Sequence, residues 1–178
     1  MVFSDPIPQL VVDLAGELRR RALKLATIES CTGGLLGAAI TSLAGVSDAY
    51  VGGFVTYSNG LKNSCVGVSA AMLELHGAVS PEVAIAMVRG GCARTAADIG
   101  ISVTGVAGPS GGTPAKPVGT VWIAVAAGDR LTDTRRFLFP GDRHEVRRLT
   151  VIAALRQAIA ALGDESGQLE HEQERWNA

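Results

Sequence analysis

The stretch KLATIESCTGG, residues 24–34, decides the fold. It opens with a short apolar run and breaks off into Ser30, Cys31, Thr32 and the pair Gly33-Gly34. A run this short, bounded by turn-forming residues, reads as a buried strand ending at a loop. Gly34 to Leu43 then reads as a helix. Upstream, Ile7, Leu10, Val11, Leu14 and Leu18 recur at helical spacing across 7–21, and Arg19-Arg20-Arg21 suit the negative end of that helix. Downstream, YVGGFVTY (50–57) is strand-like, its paired glycines marking a bulge or close packing. A turn with a short helix is expected over 58–67, and another short helix over 69–76, stopped by Gly77. Ser80-Pro81-Glu82 begin a helix running to about Ala97: a capping hydroxyl, a proline in the first turn and an acid facing the positive end. Residues 99–104 and 118–126 read as strands. Residues 131–139 form a further strand after a Gly128-Asp129 turn, as in a hairpin, and 142–162 form a last helix. Strands alternate with helices early and the hairpin comes late. That order predicts a single α/β domain with a mixed sheet and helices on both faces. Ligands of such sheets bind beyond the C-terminal ends of the parallel strands. Two glycine-rich loops fall at such ends, one after Glu29 and one after Thr104.

The composition narrows the function. The chain has 178 residues, 47 % of them apolar, which is enough for one core. A formal net charge of −1 gives no support for nucleic-acid binding. No apolar stretch is long enough for a membrane span, and the N-terminus lacks the pattern of a secretory signal, so a cytoplasmic protein is expected. Three cysteines without a C-x-x-C oppose both a disulfide framework and a zinc site, and no cluster of ligands for any metal stands out. Residues 163–178 carry five acids, one arginine and hardly any apolar residue, so they are expected to form a disordered acidic tail after a domain spanning 1–162. Residues 1–162 hold 15 basic and 12 acidic residues, a net of +3. That mild excess suits a phosphate-bearing small ligand.

Four stretches could carry chemistry. In Glu29-Ser30-Cys31-Thr32-Gly33-Gly34, a hydroxyl sits between a strand end and a helix start. The N–H groups around Thr32, Gly33 and Gly34 could hold an oxyanion or a phosphate. The plainer reading is a capping hydroxyl with glycines for a tight turn. Cys31 could be a reactive thiol at a helix N-terminus or a small buried residue. A serine nucleophile needs a base. His76, His144 and His171 are badly placed for it, before a helix stop, in a first turn and in the tail. Lysine can serve when burial lowers its pKa. Only three lysines stand against thirteen arginines. Lys62, just past the strand ending near Tyr57, is the best placed, with Tyr57 as a candidate proton relay; a solvated helix residue is the alternative. The loop Thr104-Gly105-Val106-Ala107-Gly108-Pro109-Ser110-Gly111-Gly112-Thr113 fits an anion nest of successive N–H groups, but not the P-loop or dinucleotide fingerprint. A mobile surface loop is the alternative. Asp142 looks like a helix cap, and Arg143 beside it a clamp for phosphate or carboxylate.

Taken together, ESCTGG (29–34), GGFVTYSNGLK (52–62), GAVSPEVA (77–84), VTGVAGPSGGTPAKPVGTVW (103–122) and FPGDR (139–143) resemble the CinA C-terminal domain, the nicotinamide mononucleotide deamidase family. The resemblance covers residues 7–162 in order and is closest to the stand-alone form, without the further N-terminal domain of longer relatives. It implies a three-layer α/β/α fold with a mixed, mainly parallel sheet, and a homo-oligomer, dimer or higher. The implied reaction is hydrolysis of the carboxamide of nicotinamide mononucleotide (NMN) to nicotinate mononucleotide and ammonia, with no cofactor and no metal. Ser30 matches the family's serine, and Lys62 and Tyr57 its lysine and tyrosine. Ser47, Asn59, Thr104, the 105–113 loop and Arg143 match positions around the ligand. Ile28 and Gly60 depart from the usual pattern without removing a reactive group. A non-catalytic nucleotide-binding or interaction module, linked to competence or DNA damage, is the alternative from a different class. A general amidase is a third.

Overall fold

The computed structural model describes residues 3–127 and 130–163. The Gly128-Asp129 turn and the acidic tail from residue 164 on, with His171, lie outside the described residues. In chain order the elements are α1 (Ile7–Arg20), β1 (Leu25–Glu29), α2 (Leu35–Thr41), a 3-10 turn (Val46–Asp48), β2 (Tyr50–Val55), α3 (Asn59–Val66), α4 (Ala70–His76), α5 (Pro81–Thr95), β3 (Ile99–Gly105), β4 (Thr120–Ala127), β5 (Arg130–Leu138) and α6 (Arg143–Gly163).

One five-stranded sheet runs in the order β2-β1-β3-β4-β5. β1 pairs in parallel with both β2 and β3, while β4 runs antiparallel to its neighbours β3 and β5. Four of the five strands therefore point the same way, which makes the mixed sheet mainly parallel. All five residues of β1 are buried. Helices α1, α2 and α6 pack on one face of the sheet, around Leu25, Ile99, Ile101 and Val121. Helices α3, α4 and α5 cover the other, around Ile28 and Ala124. The result is one three-layer α/β/α domain. No described helix is long and apolar enough to cross a membrane.

The local signals explain most boundaries. Ser58, Ser69 and Ser80 each accept a hydrogen bond from a backbone N–H of the helix they precede. Asp142 Oδ1 accepts from His144 and Glu145 N–H at the start of α6. The 3-10 turn at 46–48 has no signal in the periodicity, because three residues are too few to repeat. The strand expected over 50–57 stops at Val55. Thr56 N–H donates to Glu29 C=O, and the chain then turns into α3.

Two glycines of α5 set the distance between layers. A Cβ on Gly91 would overlap the Ile28 side chain of β1, and one on Gly90 would overlap the Val66 carbonyl at the end of α3. Gly90 therefore lets α3 lie directly on α5, and α3 carries Lys62. Gly90→Ala forces two backbones apart. It is expected to destabilise the fold by about 3 kcal/mol, the upper part of the overpacking range. Urea unfolding measures that loss, and an unchanged midpoint would mean that α3 and α5 are not held this close.

Candidate active site

The site lies where β1, β2 and β3 end. Ser30 follows β1 directly, and its N–H donates to Val103 C=O of β3 at 2.9 Å, so the pairing continues one residue past the strand. The chain then turns tightly, Gly33 N–H donating to Ser30 C=O at 3.0 Å. Behind the turn, the buried carboxylate of Glu29 accepts from the N–H groups of Gly34 and Leu36 on one oxygen and Gly37 on the other, at 2.8–3.1 Å. The positive end of α2 is thus filled by the protein's own acid.

Lys62 comes from the first turns of α3 and reaches back over the end of β1. Its side chain is 1 % exposed, the Nζ lying 2.9 Å from Ser30 Oγ and 2.8 Å from Thr56 C=O. Burial lowers its pKa below the ordinary lysine value, because the charged amine loses water. A negative charge on Cys31 would oppose that shift. Yet burial pushes the Cys31 thiol up to about 12, so it is uncharged near neutral pH and leaves Lys62 without a counter-charge. Cys31 is therefore the small buried residue and not an activated thiolate.

Ser30 and Lys62 open into a cavity of about 240 Å³ whose lining includes Tyr57, Asn59, Thr104, Gly105 and Arg143, and no carboxylate. Thr104 Oγ1 donates to Ala78 C=O, which ties the end of β3 to the loop before α5. Arg143, at the start of α6, donates to Gly108 C=O at 2.9 Å and to the Tyr57 hydroxyl at 2.8 Å. Among the described residues, no group of three or more His, Cys, Asp or Glu could hold a metal ion.

Several expected site residues are placed differently. The Gly33 and Gly34 N–H groups, expected to face a ligand, are spent on Ser30 C=O and Glu29. The N–H groups of Cys31 and Thr32 lie against the Cys31 sulfur. Tyr57 has no hydrogen bond to Ser30 or Lys62. It is 56 % exposed and partners Arg143, so the relay expected of it has no bonded path here. Ser47 is exposed in the 3-10 turn before β2, and Leu25 N–H at the start of β1 bonds Ala49 beside it. It therefore sits at the opposite end of the strands from Ser30. Gly111, Gly112 and Thr113 lie on the exposed outer part of the loop and line no part of the cavity, and Thr113 N–H closes onto Lys116 C=O. Of that loop, Gly105 and Ala107 face the cavity and Gly108 supplies the carbonyl held by Arg143. Sequence reasoning missed two charged residues, Glu29 and Arg147. Arg147, one turn after Arg143 on α6, donates from Nε and a terminal nitrogen to Thr32 C=O at 3.1 and 2.6 Å. Its spacing from Arg143 was the one available signal.

The pattern of the CinA C-terminal domain matches residues 8–162. The chain belongs to that family. It is 50 % identical over 161 residues to a protein of Pseudomonas putida named nicotinamide-nucleotide amidohydrolase PncC, covering 90 % of this chain and 99 % of that one. A CinA-like protein of Leptospira biflexa is 49 % identical over 82 % of this chain, which spans about a third, 34 %, of that longer relative. The crystal structure of competence/damage inducible protein CihA from Agrobacterium tumefaciens superposes with a TM-score of 0.88 at 37 % identity, covering 90 % of this chain and 98 % of that one.

In this CinA-type domain the buried amine makes stability depend on pH. Since the folded state holds Lys62 below its ordinary value of 10.5, the unfolded chain binds that proton more tightly. Stability therefore falls as pH drops from the unfolded to the folded pKa, and this contribution is flat below both. Lys62→Met removes the dependence. In urea titrations run at about pH 10, 8.5 and 7, the wild type is expected to lose stability relative to Lys62→Met as the pH falls. A pH-independent difference would show that folded Lys62 keeps an ordinary pKa.

Proposed function

We propose that this chain hydrolyses the carboxamide of NMN to nicotinate mononucleotide and ammonia, with Ser30 as nucleophile and Lys62 as base. The observation that carries the reading is the buried Lys62 Nζ at 2.9 Å from Ser30 Oγ, in a cavity with an arginine at its rim and no carboxylate. The name of the Pseudomonas putida relative supports the substrate.

The steps follow from the geometry. Nζ lies 2.9 Å from Ser30 Oγ and donates to Thr56 C=O; once Lys62 is uncharged, its lone pair can accept from the Ser30 hydroxyl. Lys62 takes the proton as Oγ attacks the carboxamide carbon. The developing oxyanion would have to draw the N–H groups of Cys31 and Thr32 away from the Cys31 sulfur. Loss of one such donor costs about 3–4 kcal/mol in other acyl-transfer sites. The Lys62 ammonium protonates the departing nitrogen, and the C–N bond breaks to release ammonia. Water then attacks the acyl-Ser30 ester, Lys62 again taking the proton, and the acid product leaves with Ser30 restored. Arg143 and the Gly105–Gly108 segment hold the phosphate. Two of the guanidinium's five donors are spent on protein, and the rest are free for bidentate contact. Tyr57 orients Arg143. A second copy of the chain would cover the exposed Val51 and Val55 of edge strand β2, consistent with a cytoplasmic homo-oligomeric enzyme of nucleotide salvage.

Ammonia release from NMN tests the reading. Ser30→Ala and Lys62→Ala are each expected to lower kcat by about 1,000-fold or more with an unchanged circular dichroism spectrum. Turnover near wild type in either variant removes that residue from the scheme. NMN that raises the melting temperature without releasing ammonia would point to a binding module instead.

For the wild type, kcat/KM should rise with pH as Lys62 loses its proton, with an apparent pKa below 10.5. Arg143→Ala should raise KM for NMN about tenfold, while leaving the rate on nicotinamide riboside, which lacks the phosphate, unchanged. An equal loss on both substrates would place the phosphate elsewhere.

A further inference from the structure

Arg147 is used in an unusual way. It is half-buried, and among the described residues its bonds go to one neutral acceptor, the Thr32 carbonyl. Glu145, two residues before it, is engaged by Arg148 at 2.7–2.8 Å. A guanidinium that spends its fork on a single carbonyl, with no carboxylate to balance it, fixes that peptide strongly through charge-assisted bonds. The carbonyl belongs to the turn Ser30–Gly33. That turn is held from β3 through Ser30 N–H, and the residues following it are held by Glu29. Neither anchor reaches the Thr32 carbonyl, whose other donor is the nearby Leu35 N–H at 3.3 Å. Arg147 supplies the third, from a helix 115 residues further along the chain.

We propose that Arg147 is a positioning residue. Its bond to Thr32 C=O sets the orientation of the turn, so that Ser30 Oγ stays on Lys62. The inference rests on the amidase reading above. Arg147 does not line the cavity, so it acts through the turn and not on the ligand. Arg143 and Arg147 are four residues apart and share one side of α6. The same helix therefore carries the rim arginine and the anchor of the nucleophile turn.

The test uses the full chain with Arg147→Ala and Arg147→Lys beside the wild type. Steady-state ammonia release from NMN is read together with amide hydrogen exchange over residues 31–37. The expected result for Arg147→Ala is a kcat at least about tenfold lower with KM within about twofold, since an interaction outside the binding contacts is lost. Exchange should speed up in 31–34 and stay unchanged in β3 and β4, and added guanidinium ion should restore part of the rate. Arg147→Lys keeps the charge and loses the fork, so its kcat should fall between the two, and it is the variant read if Arg147→Ala does not fold. An unchanged kcat, or a raised KM at unchanged kcat, overturns the proposal. If the wild type itself releases no ammonia, the amidase reading falls. Exchange then decides alone: unchanged protection of 31–34 in the variants overturns the role of Arg147, and faster exchange upholds its hold on the turn.

Discussion

The burial of one amine without a counter-charge governs this molecule. Taking an ammonium out of water costs several kcal/mol unless a paired charge offsets it. A carboxylate beside Lys62 would offset that cost and hold the proton in place, which would remove the role of base proposed for it. Among the described residues the one buried acid, Glu29, which immediately precedes Ser30, has both oxygens committed to three backbone N–H groups at the start of α2. Lys62 is left with a serine hydroxyl and a backbone carbonyl. Those partners suit a neutral amine, which accepts from one and donates to the other.

The fold delivers this arrangement through parallel pairing. β1 sits between β2 and β3, so three chain ends open at one edge of the sheet, the usual ligand position in open α/β sheets. Ser30 leaves β1 at that edge, Lys62 follows β2 within one turn of helix, and Thr104 closes β3. The first turns of α6 then cross the opening with Arg143 and Arg147. Close approach of the layers is what makes the reach of Lys62 sufficient. Gly90 admits the α3 backbone against α5, and Gly91 admits β1. The glycine pair at 90–91 serves packing, whereas the pair at 33–34 shapes the turn, both with positive φ.

What was legible in the sequence follows physical range. The strand–loop–helix reading of 24–34, the Ser80 cap and the Asp142 cap rest on interactions within a few residues, and all were readable. Lys62 was readable because lysine is rare here and this one follows a strand end. The commitments of Gly33 and Gly34 N–H were hidden. They depend on how α2 folds back over Glu29, and a glycine pair looks the same whether its N–H groups are spent or free. Tyr57 beside Arg143 and Arg147 on Thr32 join residues 86 and 115 positions apart, which no periodicity records. The family resemblance carried Ser47 to the ligand, yet within this chain the direction of β2 puts it at the far end.

In the proposed reaction, the choice of nucleophile follows from the same burial. Ser30 and Cys31 are adjacent, both line the cavity, and in water a thiol is the better nucleophile at neutral pH because a fraction of it is thiolate. Removing water disfavours the charged form of every group. An acid such as a thiol is pushed up and an amine is pushed down. Here Cys31 rises to about 12 while Lys62 falls, so the site that gains a base loses its thiolate. A serine does not depend on standing ionisation, because its proton leaves in the step that forms the new bond. An uncharged amine in contact with the hydroxyl is therefore the pairing that these buried, carboxylate-free side chains can use, and a cysteine at position 30 would be expected to meet the same penalty that silences Cys31.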